Sequence, residues 1–140
     1  MIDAAPGEPA SEATAGLINR VYEAINARDV DALALISVPG FEWRDPDGLP
    51  GGGVHRGAQE VIARMRELDE SLDELWFTAG EIVEAGERVL VLTHVGGRGR
   101  ESGVPAQLDF FSLFRIDGGR VAAQAAFFDR SEAEQGLRRT

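Results

Sequence analysis

The second half of the chain consists of apolar stretches joined by tight glycine turns, and this pattern restricts the fold more than any other feature. The stretches cover residues 75–84, 88–96, 104–116 and 120–128. The first two are joined by Ala85-Gly86 and the last two by Asp117-Gly118-Gly119, where glycine supplies the positive φ of a hairpin turn. Strands joined in sequence by short connections pair as an antiparallel meander. The pattern therefore predicts four consecutive antiparallel strands.

The first half of the chain has helical periodicity. Leu17, Val21 and Ile25 fall on one stripe of a helix that Ser11 caps. Asp29 caps a second, short helix that ends at Pro39-Gly40, and a third helix is predicted over residues 58–68. A short strand over 41–44 precedes the turn at 45–48. Helices followed by strands indicate an α+β domain rather than alternating α/β.

The length of the chain, 140 residues, suits one domain with one hydrophobic core. Residues 1–10 are rich in alanine, proline and glycine, which predicts a flexible N-terminal lead before a single domain over 11–140. The lead has neither the basic start nor the apolar stretch of a signal peptide. No apolar run approaches the length of a membrane span.

Charge and missing residue types exclude several function classes. The formal net charge of −10 disfavours nucleic acids and anionic membranes as partners. The chain has no cysteine, which is compatible with a reducing cytoplasm, and its 14 basic residues are all arginine, which excludes Schiff-base chemistry. The chain has only two histidines, His55 and His94, and they do not form a ligand-spaced pair, which excludes a histidine-rich metal site. We predict a cytoplasmic protein without a metal or cofactor, although a site built from carboxylates stays open.

Alternation along the last two strands predicts which side chains face the core. Phe110, Ser112 and Phe114 share one face of their strand, and Asp109 lies on the other. On the last strand, Val121 and Phe127 fall on one face and Gln124 and Phe128 on the other. Both faces are therefore partly apolar, and helices can cover only one of them. We therefore predict a homodimer through the outer face of the sheet. The alternative is a solvated face with scattered apolar residues.

The order and spacing of several motifs resemble a known superfamily. The motifs are residues 21–29, Trp43-Arg44-Asp45-Pro46, His55-Arg56-Gly57, residues 97–103, residues 117–121 and Phe127-Phe128-Asp129-Arg130. Over residues 12–138 the chain resembles the nuclear transport factor 2-like superfamily, also called SnoaL-like, which includes ketosteroid isomerase. The resemblance implies a cone of three helices over a strongly bent sheet, an apolar cavity between them, and dimers formed through the sheet. Members include isomerases, cyclases, dehydratases, epoxide hydrolases and non-catalytic proteins, so the fold does not fix the function.

The resemblance nominates Asp45 as a general base, because its segment is similar to the one that carries the base of ketosteroid isomerase. The alternative is that an Asp before a Pro only forms a turn. The oxyanion-hole positions of that enzyme fall on Val21, with Tyr22 one residue away, and on Ser112. A serine hydroxyl stabilises an enolate less than the Tyr–Asp pair of the isomerase would.

Two other site residues depend on which face of the sheet is inward. His94 shares its face with Leu90 and Leu92, so it is an acid or base in the cavity if that face is inward, or else a core histidine with one hydrogen bond. Gln124 shares a face with Phe128 and can orient a ligand carbonyl or pair with His94. His55, beside a glycine-rich loop, is expected to be exposed.

These observations support two hypotheses, and a third, an assembly partner without a ligand, stays open. The first is a cofactor-free isomerase, cyclase or dehydratase for a small apolar carbonyl compound, with Asp45 as base and His94 as a second acid or base. The second is a non-catalytic dimer that binds a small lipophilic molecule. In both, the candidate ligand-binding residues are Tyr22, Trp43, Trp76, Phe110, Ser112, Phe114, Gln124 and Phe128, whose aromatic members are otherwise simply core. An epoxide-hydrolase site is disfavoured, because alanine (Ala125 or Ala126) stands where that pattern needs an Asp.

Overall fold

A computed structural model describes residues 7–49 and 51–138, and their helices and strands follow the predicted α+β order. The elements are β1 (Glu8–Pro9), α1 (Glu12–Ala27), α2 (Val30–Leu35), β2 (Ser37–Arg44), β3 (Val54–Arg56), α3 (Gly57–Asp69), β4 (Leu72–Ala85), β5 (Arg88–Gly99), β6 (Pro105–Asp117), β7 (Arg120–Phe127) and α4 (Arg130–Arg138). The strands form one long, curved sheet in the order β1-β4-β5-β6-β7-β2-β3. No helix in these described ranges is both long and apolar enough to cross a membrane.

The predicted helix caps and the predicted meander are confirmed. The Ser11 side chain accepts a hydrogen bond from the backbone N–H of Thr14 at 3.2 Å, and Asp29 accepts one from Ala32 at 3.0 Å. Strands β4 to β7 pair antiparallel in sequence order. These features are local, which is why the residue pattern alone predicts them.

The prediction of three N-terminal helices omitted elements that depend on tertiary contacts. The C-terminal helix α4 packs Ala133 and Leu137 against Leu90 on the outer face of the sheet. Strand β2 begins at Ser37, before the Pro39-Gly40 pair that was expected to separate helix from strand, and it pairs parallel with β7. From the predicted flexible lead, residues 8 and 9 pair with β4, whereas residues 1–6 lie outside the described residues.

A β-bulge changes which side chains of β7 face the core. Arg115 pairs with Ala123, but its neighbour Ile116 pairs with Val121, so β7 carries one extra residue at this point. Val121 therefore lies in the main core, while Phe127, six residues along, packs on the opposite face near α4. Simple alternation had placed Val121 and Phe127 on one face, and the extra residue is the reason for the difference.

Asn26 joins α1 to the strand that forms one wall of the interior. Its side-chain amide donates to the carbonyl oxygen of Phe77 and accepts from the N–H of Phe77, both at 2.8 Å. We expect Asn26→Ala to lower the free energy of unfolding by about 1–3 kcal/mol, because both partly buried backbone groups lose their partner. Urea unfolding will measure this. Asn19→Ala, at an exposed position of the same helix, is the control and should change stability by less than about 0.5 kcal/mol.

Candidate functional site

A cavity of about 250 Å³ lies between α3 and the inner face of the sheet. Its lining is almost entirely apolar, and Asp45 is the one ionisable side chain among the described residues that line it. The lining residues are Trp43, Asp45, Pro46, Leu49, Met65, Leu68, Leu72, Leu75, Phe77, Val95, Gly96, Gly97, Ala106, Gln107, Leu108, Phe110 and Ala126. A carboxylate in such surroundings can act as a base on a bound molecule.

Asp45 reaches the cavity because of where β2 ends. Phe41 and Trp43 are buried on the inner face of β2, and Asp45 continues that alternation one residue beyond the strand. Its backbone N–H donates to the carbonyl oxygen of Gly53 at 3.0 Å, which closes the loop that follows. The side chain of Asp45 is only 7% exposed.

Two side chains from different elements donate to the same oxygen of Asp45. Oδ2 accepts hydrogen bonds from Nε2 of His55 in β3, at 2.9 Å, and from Nε of Arg64 in α3, at 3.0 Å. A carboxylate only accepts, so Nε2 of His55 carries the proton in this bond. Arg64 is itself 3% exposed and also donates through Nη1 to Glu67. The carboxylate is therefore fixed by a neutralising cation on one side and an imidazole on the other.

His94 lies on the outer face of the sheet, away from the cavity. Its Nδ1 is 2.9 Å from Oδ1 of Asp109, and 39% of its side chain is exposed. Strand β5 turns Val91, Thr93 and Val95 inward, which puts the alternate positions outward. His94 therefore does not face the cavity, and its predicted role as a second acid or base there is wrong. Asp109 faces outward as expected, with His94 as its partner.

Three of the predicted ligand contacts form a sealed hydrogen-bond network in the core. The Tyr22 hydroxyl is 2.5 Å from Oγ1 of Thr93, which is 2.9 Å from Oγ of Ser112. Gln124 donates to Ser112 at 3.2 Å and accepts from the N–H of Arg44 at 3.1 Å. Tyr22, Ser112 and Gln124 are 0–3% exposed, and none of them lines the cavity. Their polar atoms satisfy one another, which is the behaviour of a structural core network.

Because Tyr22 is buried in this network, we expect the folded protein to lose stability at high pH. Burial raises the pKa of Tyr22 from 10.0 to about 12, against a smaller lowering by its hydrogen bonds to Ser112 and Thr93. The folded protein holds the hydroxyl proton of Tyr22 more tightly than the unfolded chain does. The contribution of this group to the free energy of unfolding is therefore complete below pH 10 and is lost as the pH rises through about 12. We expect Tyr22→Phe to remove this dependence in urea unfolding between roughly pH 8 and pH 12. The chain has one tyrosine and neither lysine nor cysteine, so no other side chain obscures the result.

The predicted aromatic contacts divide into three groups. Trp43 and Phe110 line the cavity, and Phe114 is completely buried in the core behind it. Trp76 is 59% exposed beside His94, because its position in β4 faces outward. Phe128 is 47% exposed, because β7 ends at Phe127 and the inward alternation stops there.

His55 and Arg64 are site residues that the sequence interpretation missed. Arg64 lies three residues after Val61 and four before Leu68, inside the apolar stripe of α3, and a buried arginine there needs an anionic partner. That signal was available in the sequence. The expectation that His55 is exposed is wrong: it faces Trp43 in the β2–β3 pair, and its side chain is only 19% exposed. Within residues 7–49 and 51–138, no three His, Cys, Asp or Glu side chains are grouped so as to hold a metal ion.

Comparison with known proteins confirms the resemblance. The SnoaL-like domain family matches residues 18–124. The fold is similar to an NTF2-like protein of unknown function from Burkholderia pseudomallei, with 27% identity, 92% of this chain and 100% of that chain covered, and a TM-score of 0.72. It is also similar to a putative SnoaL-like polyketide cyclase from Jannaschia sp. CCS1 (19% identity, 100% and 99% covered, TM-score 0.69).

A third similar structure is TerC co-crystallised with polyporic acid, at 21% identity, with 91% of this chain and 100% of that chain covered and a TM-score of 0.73. At such identities, the cyclase and TerC show a common fold and nothing more. A search of curated proteins finds no match to this chain.

Proposed function

The chain belongs to the SnoaL-like domain family, and from that premise we propose that it is a cofactor-free enzyme that moves a proton next to a carbonyl group. Isomerisation, cyclisation and dehydration of a small apolar carbonyl compound all use this step. The observation that carries the proposal is the Asp45 carboxylate in the wall of an otherwise apolar cavity. A positioned carboxylate in such a cavity is suited to general base catalysis.

The charges around Asp45 favour a neutral substrate. Arg64 already balances the carboxylate at 3.0 Å, so a cationic ligand would have to compete with a buried guanidinium. An anionic ligand would meet the carboxylate in a lining that offers no cationic side chain among the described residues. A neutral ligand with one polar atom avoids both costs.

The size of the cavity favours a ligand with one or two rings. An apolar protein cavity of about 150 Å³ holds benzene. A volume of about 250 Å³ therefore has room for a substituted ring or a small bicyclic compound. A steroid would extend beyond it, which agrees with the absence of the steroid isomerase oxyanion groups from the lining.

The proposed step moves one proton and one electron pair. The Asp45 carboxylate takes a proton from the carbon next to the carbonyl; the C–H electron pair becomes the carbon–carbon π bond of the enolate. The negative charge moves to the carbonyl oxygen. The proton then returns from Asp45 to the same carbon, or to the γ carbon of an unsaturated ketone, and the carboxylate is regenerated.

Two small ketones test the proposal. Exchange of the α-protons of 1-indanone with D2O, followed by NMR, reports proton removal alone. Conversion of cyclohex-3-en-1-one to its conjugated isomer, followed by ultraviolet absorbance, reports removal and return. We expect the protein to accelerate both reactions above the buffer rate. Binding of 1-indanone without acceleration of either reaction would contradict the enzyme hypothesis.

The second candidate function is a binding module for a small lipophilic molecule. It is favoured by the two hydrogen bonds that already occupy Oδ2 of Asp45, an arrangement that would serve equally to fix the cavity wall. TerC, a protein of similar fold, was co-crystallised with polyporic acid. Ligand binding that survives Asp45→Asn, without turnover in either protein, is the result this candidate predicts.

We also propose a cytoplasmic homodimer that buries the outer face of the sheet. The support is the exposed Trp76, which lies beside His94 and Thr78 on a face that α4 covers only at the other end. A second copy would bury this indole. Sedimentation equilibrium tests the proposal: Trp76→Asp should convert dimers to monomers, and a monomeric natural sequence would refute it.

A further inference from the structure

The indole of Trp43 is buried, yet its N–H has no partner in the protein. Trp43 is 2% exposed and packs edge-on against Phe41 and Phe114, with ring centroids 6.3 Å away in both cases. Among the described residues, none accepts a hydrogen bond from its Nε1. A buried tryptophan N–H ordinarily finds an acceptor, because leaving it unpaired costs free energy.

The unpaired N–H borders open space rather than packed protein. In the part of the chain that the structure describes, every side-chain nitrogen or oxygen that is sealed from solvent has a hydrogen-bond partner. Since Nε1 has none, it is not sealed and must border open space. The open space that Trp43 lines is the cavity. Because Trp43 lines the cavity, its N–H is available as a hydrogen-bond donor in an otherwise apolar wall.

The donor and the carboxylate are held in a fixed relation. Trp43 and Asp45 follow the same alternation along β2, so their Cα atoms are roughly 6–7 Å apart. Trp43 is also in register with His55 on β3 and with Gln124 on β7, so strands flank it on both sides. A ligand carbonyl at Trp43 can thus present a neighbouring C–H group toward Asp45, and little reorganisation is needed.

We propose that Nε1–H of Trp43 is the donor that binds the carbonyl oxygen of the ligand. The catalytic part of this assignment rests on the proposed function: when Asp45 removes a proton, the same N–H stabilises the enolate oxygen. The binding part does not require turnover. The isomerase resemblance indicated Val21 and Ser112 for this task. Ser112 and Tyr22, the neighbour of Val21, are both sealed in the core network.

NMR of the indole N–H groups tests the binding part directly. The chain has two tryptophans, so a protein labelled with ¹⁵N-indole gives two signals, and Trp76, which does not line the cavity, serves as an internal reference. We expect 1-indanone to move the Trp43 proton downfield, as an acceptor engages it, and to leave that of Trp76 in place. Indane, a hydrocarbon of the same ring shape, is the matched control and should fill the cavity without this downfield shift. Equal shifts of the Trp43 proton with both compounds would overturn the proposal.

The variant Trp43→Phe tests the same donor through affinity. It keeps an aromatic ring and removes the N–H, so we expect the preference for 1-indanone over indane to fall about tenfold, the equivalent of one hydrogen bond. An unchanged preference would overturn the proposal. If Trp43→Phe does not fold, the NMR measurement on the natural sequence still tests the donor.

The same variant separates the two proposals. With cyclohex-3-en-1-one, loss of one oxyanion donor should reduce kcat about a hundredfold with a smaller effect on KM. Turnover that depends on Asp45 but not on Trp43 would refute the donor and leave the proposed function intact. Binding through Trp43 without any turnover would refute the proposed enzyme function and support the role of the Trp43 N–H in ligand binding.

Discussion

Replacing Asp45 with asparagine is expected to slow α-proton exchange of 1-indanone by about a hundredfold to ten-thousandfold, the usual contribution of a general base. The amide has nearly the same shape as the carboxylate but cannot take up a proton. Because 1-indanone is neutral, its dissociation constant should change much less than the exchange rate. NMR exchange rates at saturating ketone, together with a fluorescence titration of the ligand, separate the two effects.

The matched control for Asp45→Asn is Asp109→Asn. Both carboxylates lie 2.9 Å from a histidine nitrogen, but Asp109 is on the outer face and is half exposed. We expect the Asp109 variant to exchange protons at the natural rate. Equal rates in all three proteins would show that Asp45 is not the base. A parallel loss in both variants would indicate a general effect of removing charge.

The second large effect is expected from Arg64→Met. The change removes the cation from a carboxylate that is 7% exposed, while Asp45 keeps its hydrogen bond to His55. Removing one partner of a buried ion pair leaves an uncompensated charge and typically costs about 3–5 kcal/mol. We therefore expect the free energy of unfolding, measured in urea, to fall by about that amount.

A double-mutant cycle makes this prediction specific to the ion pair. Adding Asp45→Asn to Arg64→Met removes the buried charge, so the double variant should recover a large part of the loss. The control is Arg56→Met, which breaks an ion pair with Glu42 whose side chains are 69% and 44% exposed. That pair should contribute at most about 1 kcal/mol. Additive effects of the two buried substitutions would contradict a direct coupling between Asp45 and Arg64.

Residue type and spacing along the chain were enough to predict the local structure and the fold class. Ser11 and Asp29 cap helices through contacts three residues away, and glycine turns set the order of the four antiparallel strands. These interactions involve neighbours in the chain, so residue type and spacing suffice to predict them. Asp45 was nominated by the resemblance of its segment to a known family, and in the structure it lines the cavity.

Which side chains meet could be learned from the folded structure alone. Alternation sorts the residues of a strand into two sets but does not say which set faces inward. It could not decide the face of His94, which lies on the outer side of the sheet. A bulge in β7 reassigned Val121. His55 and Arg64 converge on one oxygen of Asp45 from elements that sequence spacing does not relate, and the open N–H of Trp43 exists only because no acceptor was packed against it. Such contacts depend on the packing of distant segments, for which a single sequence gives no distance.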